Sequence, residues 1–210
     1  MLHVVTADNR QRYREQVEES YRIRHRIYVH ERGWHDLARL DGREVDQFDN
    51  ENAIYLLALD EKMRVQGGSR LISSLKPHLL ADVFPELAGV RPIPRAPDIY
   101  EWTRFYVVPE AREPHAISNV SCQIMCGVQE LCLECGISQL SIVTEPPWIT
   151  RFLRLGWNPQ PLGLPIVWKG MDVVGITVDI SEHALRQTRR LRDIRGTVLA
   201  TSVANQKLAG

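Results

Sequence analysis

The run Ile99-Tyr-Glu-Trp-Thr-Arg-Phe-Tyr-Val-Val108, closed by Pro109, decides the fold. Its aromatic and β-branched side chains suit a pleated surface, and the proline ends the strand that they predict. Ile117 to Glu134 then reads as one continuous helix, and Ser138 to Thr144 as a second strand. Strand, helix and strand in this order form a crossover unit, which makes the two strands parallel.

Working outward, Leu2 to Thr6 is an apolar, β-branched first strand, and the Ala-Asp-Asn turn after it can cap a helix. Tyr13, Val17, Tyr21, Ile23, Ile27 and Tyr28 give a helical pattern from Gln11 to about Glu31, weakened near its end by β-branched and aromatic residues. Ala53 to Leu59 and Val65 to Ser73 read as paired strands around the turn at Asp60, and Leu79 to Leu87 as a short helix. After the crossover come a helix from Pro147 to Leu155 stopped by Gly156, strands at Leu164 to Trp168 and Met171 to Asp179, and a charged helix from Ser181 to about Arg195. This alternation predicts an α/β fold: one domain over 1–210, a three-layer sandwich with a central mixed sheet and helices on both faces. Residues 32–52 carry Gly33, Gly42 and many charges without periodicity, a long loop of the kind that serves as a mobile lid over a ligand.

The 210 residues, 44% of them hydrophobic, fit one domain with a real core. Lys plus Arg and Asp plus Glu both number 26, so no broad basic surface for nucleic acid is expected. Apolar runs such as Ile54 to Leu59 fall far short of the roughly 20 residues of a membrane-spanning helix, and the N-terminus has no basic segment followed by an apolar stretch. No membrane association and a cytoplasmic location are expected. Cys122, Cys126, Cys132 and Cys135 could suggest zinc, but on one helix they spread around the circumference, so buried free thiols are expected and no metal.

Four pieces of sequence carry the functional signal: Arg24-His-Arg-Ile-Tyr28 through Gly33-Trp34, Glu44-Val-Asp46-Gln-Phe48-Asp49, Gly67-Gly-Ser-Arg70-Leu71, and Glu101-Trp-Thr-Arg104-Phe105. Together they resemble the acyl-homoserine lactone synthases, the autoinducer synthases of bacterial quorum sensing, as far as about Val108 and more loosely beyond. Arg24, Asp46, Asp49, Arg70, Glu101 and Arg104, with Trp34, match that family's recurring set one by one. Tyr28 stands where Phe is common and Thr103 where Ser is common, and both keep the side-chain class. The resemblance implies a GNAT-like fold. It also implies an enzyme that acylates the amine of S-adenosylmethionine from an acyl thioester, then closes a lactone with release of methylthioadenosine, both substrates being consumed and no cofactor required.

On that resemblance Glu101 is the candidate base, acting directly or through water, with an ion pair to Arg104 or Arg70 as the plainer reading. Held between arginines, its pKa would be lowered. Asp46 and Asp49 either bind the substrate ammonium or balance the arginines. Arg104 and Arg70 are candidates for a two-bond grip on the substrate carboxylate, and Arg24 for bracing Asp46 or Asp49. Trp34 offers a face to adenine or the sulfonium, or else plugs the lid. Phe84 lines the substrate cleft, and Tyr28 and Phe105 join the substrate-binding set.

Residues three apart on a regular strand face opposite ways, so Glu101 and Arg104 can enter one site only if the strand bulges or twists. A bulge would free a backbone N–H for the thioester oxyanion, with Thr103 a second donor. The acetyltransferase pyrophosphate loop is not visible after Val108, where the chain reads Pro-Glu-Ala-Arg112-Glu-Pro. The donor is acyl-CoA or acyl-acyl carrier protein. Arg151 and Arg154 could dock it or simply keep the surface soluble. Trp102, Ile142, Thr144 and Trp148 are the expected acyl pocket, and their large rings favour a short, branched or aryl acyl group. A GNAT-like N-acyltransferase acting on another amine, and a non-catalytic binding homologue, are the alternative readings.

Overall fold

Strand Ile99–Val107 runs through the middle of an eight-stranded sheet in the computed structural model, which describes residues 1–114 and 116–201. In chain order the strands are β1 (Leu2–Val5), β2 (Ile54–Leu59), β3 (Val65–Ser73), β4 (Ile99–Val107), β5 (Gln139–Thr144), β6 (Gln160–Pro161), β7 (Ile166–Trp168) and β8 (Met171–Asp179). Their spatial order is β1-β2-β3-β4-β5-β8-β6, with β7 also paired to β8. Only β4 and β5 are parallel, joined by helix α3 (Asn119–Glu134) as the crossover requires. The remaining helices are α1 (Arg14–Arg24), α2 (Leu79–Asp82), α4 (Pro147–Arg154) and α5 (Glu182–Arg190).

Period-two alternation gives the sheet two apolar faces and so makes three layers. Ile54, Leu56, Leu71, Tyr100, Trp102, Leu140 and Ile176 pack with α3, α4 and α5. Val5, Tyr55, Leu57 and Tyr106 pack under α1, and Leu80 of α2 joins Phe84, Leu87 and Val173. Serines at the N-caps fix two of the outer helices: Ser118 accepts from the Ser121 amide at 3.2 Å and Ser181 from the Ala184 amide at 3.1 Å. Cys122, Cys126 and Cys132 are buried in α3 as free thiols, and Cys135 is free and half-buried. The single domain expected over 1–210 reaches past the described residues at 202–210.

Four differences from expectation matter. The helix predicted to Glu31 stops being α-helical after Arg24 and widens into a π-helical turn, His25–Glu31, which buries Ile27, Tyr28 and Val29 in succession. This falls where the β-branched and aromatic residues cluster. The helix expected over 79–87 is one turn followed by a 3₁₀ turn, Pro85–Ala88, because Pro85 has no amide hydrogen to continue it. Strand β6 is too short to leave a periodic signal in the sequence, and α5 stops at Arg190.

Two irregularities in β4 create the space for a site. Gly68 pairs with Tyr106 and Arg70 with Thr103, so two residues of β4, Arg104 and Phe105, stand opposite Ser69 alone. This is a bulge, and Arg104 takes a left-handed conformation there, φ +53°. The pairing of β4 with β5 covers only Ile99–Glu101 against Gln139–Ser141, although both strands run on. Beyond Glu101 the two strands fork.

Gly67 is held close against the other side of β4, where a Cβ would stand 2.7 Å from the backbone oxygen of Tyr106. Gly67→Ala is expected to destabilise the protein by about 1–3 kcal/mol through overpacking in urea denaturation. A change below about 0.5 kcal/mol, as at a free surface, would show that the strand pair opens without cost.

Candidate active site

Three arginines and three carboxylates meet on the α1 side of the sheet. Arg24 ends α1, Arg70 lies in β3 and Arg104 on the bulge of β4, while Glu44, Asp46 and Asp49 come from the 32–52 loop. Arg24 donates from Nε to Glu44 at 2.6 Å and from both Nη atoms to Asp49 at 2.8 Å. Arg70 grips Asp46 at 2.6 and 3.0 Å and lies 2.8 Å from Asp49. Arg104 reaches Glu44 at 2.9 Å and Asp46 at 2.7 Å. The contacts therefore close a ring of alternating sign: Arg24, Glu44, Arg104, Asp46, Arg70, Asp49 and back to Arg24.

Arg24, Arg70, Glu44 and Asp49 are sealed from solvent, whereas Arg104 and Asp46 keep 10% and 16% of their side chains exposed. Burial works to raise the Asp49 carboxyl, but Arg24 and Arg70 overcome it and hold the group well below the usual carboxylate range. Asp46 is likewise lowered, the cost of burial outweighed by Arg70 and Arg104. Both stay ionised at neutral pH.

Glu44, Asp46 and Arg104 form the polar end of a cavity of about 550 Å³. Aromatic rings stand over it. Tyr28 and Trp34 stack at 5.3 Å with 6° between their planes, and Trp168 meets Trp34 edge-on at 5.3 Å and Phe84 at 5.4 Å. An Asp36–Lys169 ion pair ties the 32–52 loop to the β7–β8 turn beside these rings. The cavity then runs into the fork between β4 and β5, where Trp102, Phe105, Ile142, Thr144, Trp148 and Phe152 line it. Trp157 stacks behind Trp102 at 5.7 Å and touches Phe152 at 5.2 Å, so a wall of rings closes that end.

Glu101 lies one layer behind the cavity. Its carboxylate accepts the amides of Leu79 at 2.8 Å and Leu80 at 2.6 Å, and it is fully buried. Leu79 and Thr103, two residues along the same strand face, both line the cavity; Glu101 itself does not. The expected ion pair with Arg70 or Arg104, and the lowered pKa that went with it, are corrected: those guanidinium groups are taken by Glu44, Asp46 and Asp49. Burial instead pushes the Glu101 carboxyl up, against the opposing pull of the Leu80 amide, His78 and the Leu79 amide.

The ring places the remaining site residues. Arg24 braces Asp49, as expected, and Asp46 and Asp49 balance the arginines. The grip expected of Arg70 on a substrate carboxylate is corrected, because a guanidinium with no exposure needs its counter-charges inside the protein and finds them in Asp46 and Asp49. The Arg70 Nε also donates to the Thr103 hydroxyl at 3.2 Å, which leaves the threonine proton free to point elsewhere. Arg104 bonds its carboxylates through Nε and Nη2 and lines the cavity. The bulge removes Arg104 and Phe105 from the ladder, and the Phe105 carbonyl accepts the Tyr28 hydroxyl at 3.2 Å. Phe84, Trp102, Ile142, Thr144 and Trp148 all line the cavity. Arg151 and Arg154 lie exposed on α4, with Arg151 stacked 4.8 Å over Trp148. The 32–52 loop divides in two: residues 44–49 are pinned by the ring, while 38–42 stand largely in solvent. Sequence reasoning missed Glu44, although it opens the motif that supplied Asp46 and Asp49. It also missed Trp168 and Phe152, which no motif marks.

A mixed sheet forked beside a bulged strand, with a cavity running through the fork, is the frame of an acyltransferase. A solved structure from Lactobacillus plantarum, described as a putative N-acetyltransferase, shares the fold at a TM-score of 0.53 and 18% identity, covering 86% of this chain and 99% of that one. The match of the autoinducer synthase family model to residues 8–188 is far more specific, and the chain belongs to that family. It is 43% identical over 185 residues to the isovaleryl-homoserine lactone synthase of Bradyrhizobium diazoefficiens, covering 88% of this chain and 82% of that protein. The solved structure of BjaI, a CoA-dependent acyl-homoserine lactone synthase, with SAM and isopentyl-CoA superposes with a TM-score of 0.88 at 40% identity, over 95% of this chain and 92% of that one. MesI, another CoA-dependent synthase, gives 0.86 and 42% over 95% and 99%. The protein is an acyl-homoserine lactone synthase, hence an acyltransferase. Among the described residues no helix is long and apolar enough to cross a membrane.

The ring makes two predictions. Glu44→Gln leaves Arg24 and Arg104 with one carboxylate partner each and the ring with a net positive charge, and is expected to cost about 3–5 kcal/mol in chemical denaturation, the scale for breaking a buried pair. Asp49 and Asp46 have folded pKa values below their unfolded ones, so their contribution is fully present above about pH 4 and is lost as the pH falls further. Denaturation series between pH 7 and pH 3 should show a shallower acid loss in Asp49→Asn than in the parent protein. Parallel curves would mean that other carboxylates govern acid unfolding.

Proposed function

We propose that the enzyme acylates S-adenosylmethionine from a short, branched or aryl acyl-CoA and closes the homoserine lactone. The observation that carries this reading is one cavity joining an aromatic, charge-balanced chamber to a fork stopped by aromatic rings. The first suits a sulfonium substrate and the second a compact acyl group. The isopentyl-CoA bound by BjaI supports the donor class.

In the first step the substrate ammonium sheds a proton through water toward Glu101. The amine attacks the thioester carbonyl, the C–N bond forms, the C–S bond breaks, and the CoA thiolate leaves with the second amine proton. The Thr103 hydroxyl and the backbone at the bulge meet the developing oxyanion. In the second step the methionine carboxylate, oriented by the cavity face of Arg104, attacks its own γ-carbon, and the sulfonium departs as neutral methylthioadenosine. Trp34 and Tyr28 face the sulfonium or the adenine. Arg151 and Arg154 are the docking charges for the anionic donor, the 32–52 loop is the lid with 38–42 its mobile part, and no cofactor is needed beside the two substrates.

Mass spectrometry of products from S-adenosylmethionine with a panel of acyl-CoA and acyl-carrier substrates tests reaction and donor together. Short branched or aryl lactones, with equimolar methylthioadenosine, are expected. A strong preference for long-chain acyl carrier protein would overturn the donor assignment, and thiol release without methylthioadenosine would point to a different amine. Trp34→Ala should weaken S-adenosylmethionine binding roughly tenfold by titration, the scale of a desolvated aromatic–cation contact. Unaltered affinity would make Trp34 only a plug.

A further inference from the structure

Glu101 has two buried neighbours, His78 and Ser141, each with one side-chain polar atom that lacks a partner. His78 is fully buried immediately before α2, whose first amides bind the Glu101 carboxylate. Its Nδ1 lies 2.8 Å from the Lys76 carbonyl. A carbonyl only accepts, so Nδ1 carries the hydrogen and Nε2 of the neutral ring is a bare lone pair. That Nε2 is buried without a partner. Ser141 pairs with Glu101 across the parallel β4–β5 ladder, which puts both side chains on the same face of the sheet, under α2. Ser141 is also fully buried, and its hydroxyl has no partner either.

Buried polar atoms are nearly always satisfied, and groups left open beside one another are the usual seat of an internal water that makes about three hydrogen bonds. We infer that His78 Nε2 and Ser141 Oγ hold a water against the Glu101 carboxylate, and that His78 is a positioning residue that relays the proton Glu101 receives. The inference rests on the synthase reaction proposed above. Acylation of an ammonium by a thioester releases two protons, of which the thiolate takes one. The other reaches Glu101, passes through the held water to His78 Nε2, and leaves Glu101 ionised for the next turnover. The imidazolium so formed keeps its Nδ1–H on the Lys76 carbonyl. Among the described residues, His78 and Arg70 are charged or titratable groups whose charge acts on Glu101. Arg70 is committed to Asp46 and Asp49, which leaves His78 to exchange the proton.

The test combines a high-resolution crystal structure of the whole enzyme with single-turnover acylation across pH for His78→Phe, His78→Gln and Ser141→Ala. A water within hydrogen-bond reach of His78 Nε2, Ser141 Oγ and Glu101 is expected. His78→Phe should lower the acylation rate roughly tenfold or more and displace the acid limb of its pH profile, with the KM values for both substrates nearly unchanged. His78→Gln, which restores a polar atom near the Nε2 position, should recover part of the rate, and Ser141→Ala should lose rate in the same direction. A dry site overturns the inference, whatever the variants do. A folded His78→Phe with parental rate and pH profile overturns the relay alone, while a parent enzyme that makes no lactone overturns the relay together with the proposed function.

Discussion

The closed ring of three arginines and three carboxylates is the constraint on which the rest of the site depends. Each member alone would be an expensive buried charge, costing several kcal/mol after relaxation. Alternation removes that expense only if all six are in register. The ring therefore fixes four separate pieces of chain against one another: the end of α1, the 44–49 segment, the middle of β3 and the bulge of β4. An apolar core could hold these elements together as firmly, but it would not select one arrangement of them so narrowly. Here the loop that roofs the substrate chamber is attached to the sheet by charge.

The bulge and the fork follow from this attachment. On a flat β4, Arg104 would face the side opposite Thr103, away from Arg70 and its carboxylates. Inserting one residue and placing Arg104 at positive φ turns it toward Glu44 and Asp46, and the same distortion withdraws the backbone of Arg104 and Phe105 from the ladder. With β5 diverging after Ser141, the space beside that unpaired backbone becomes the passage to the aromatic end of the cavity. One irregular residue thus completes the charge ring and frees the backbone that borders the fork.

Much of this was legible in the sequence, for identifiable reasons. The β4–α3–β5 crossover could be read because the strands are β-branched and aromatic and the helix is long. Spacing alone required that β4 bulge if Glu101 and Arg104 served one site. Trp102, Ile142, Thr144 and Trp148 could be placed beside one cavity because they fall on strongly predicted elements. Partner choice was not legible. Sequence separation says nothing about which arginine meets which acid, so Glu101 was paired with arginines that belong to Glu44, Asp46 and Asp49. The hydrogen bonds that Glu101 does make come from amides at the start of a four-residue helix, and Trp168 enters the site from a short hairpin more than 130 residues from Trp34, where no periodicity records the contact.

The neutrality of the ring also bears on the chemistry. In the proposed reaction the nucleophile is an amine that arrives protonated on a cationic substrate. Free carboxylates beside it would hold it well, but they would raise its pKa and so oppose the deprotonation that attack requires. Carboxylates already balanced by arginines present hydrogen-bond acceptors with little net field. Attraction for the sulfonium then falls to the faces of Tyr28 and Trp34, which bind a cation without taking part in its acid–base equilibrium. Glu101, the proposed base, stands apart behind Leu79 and Thr103, where burial pushes its carboxyl up. In the proposed reaction, binding of charge falls to the rings that line the cavity and removal of the proton to a carboxylate one layer behind it, so strengthening the first does not slow the second.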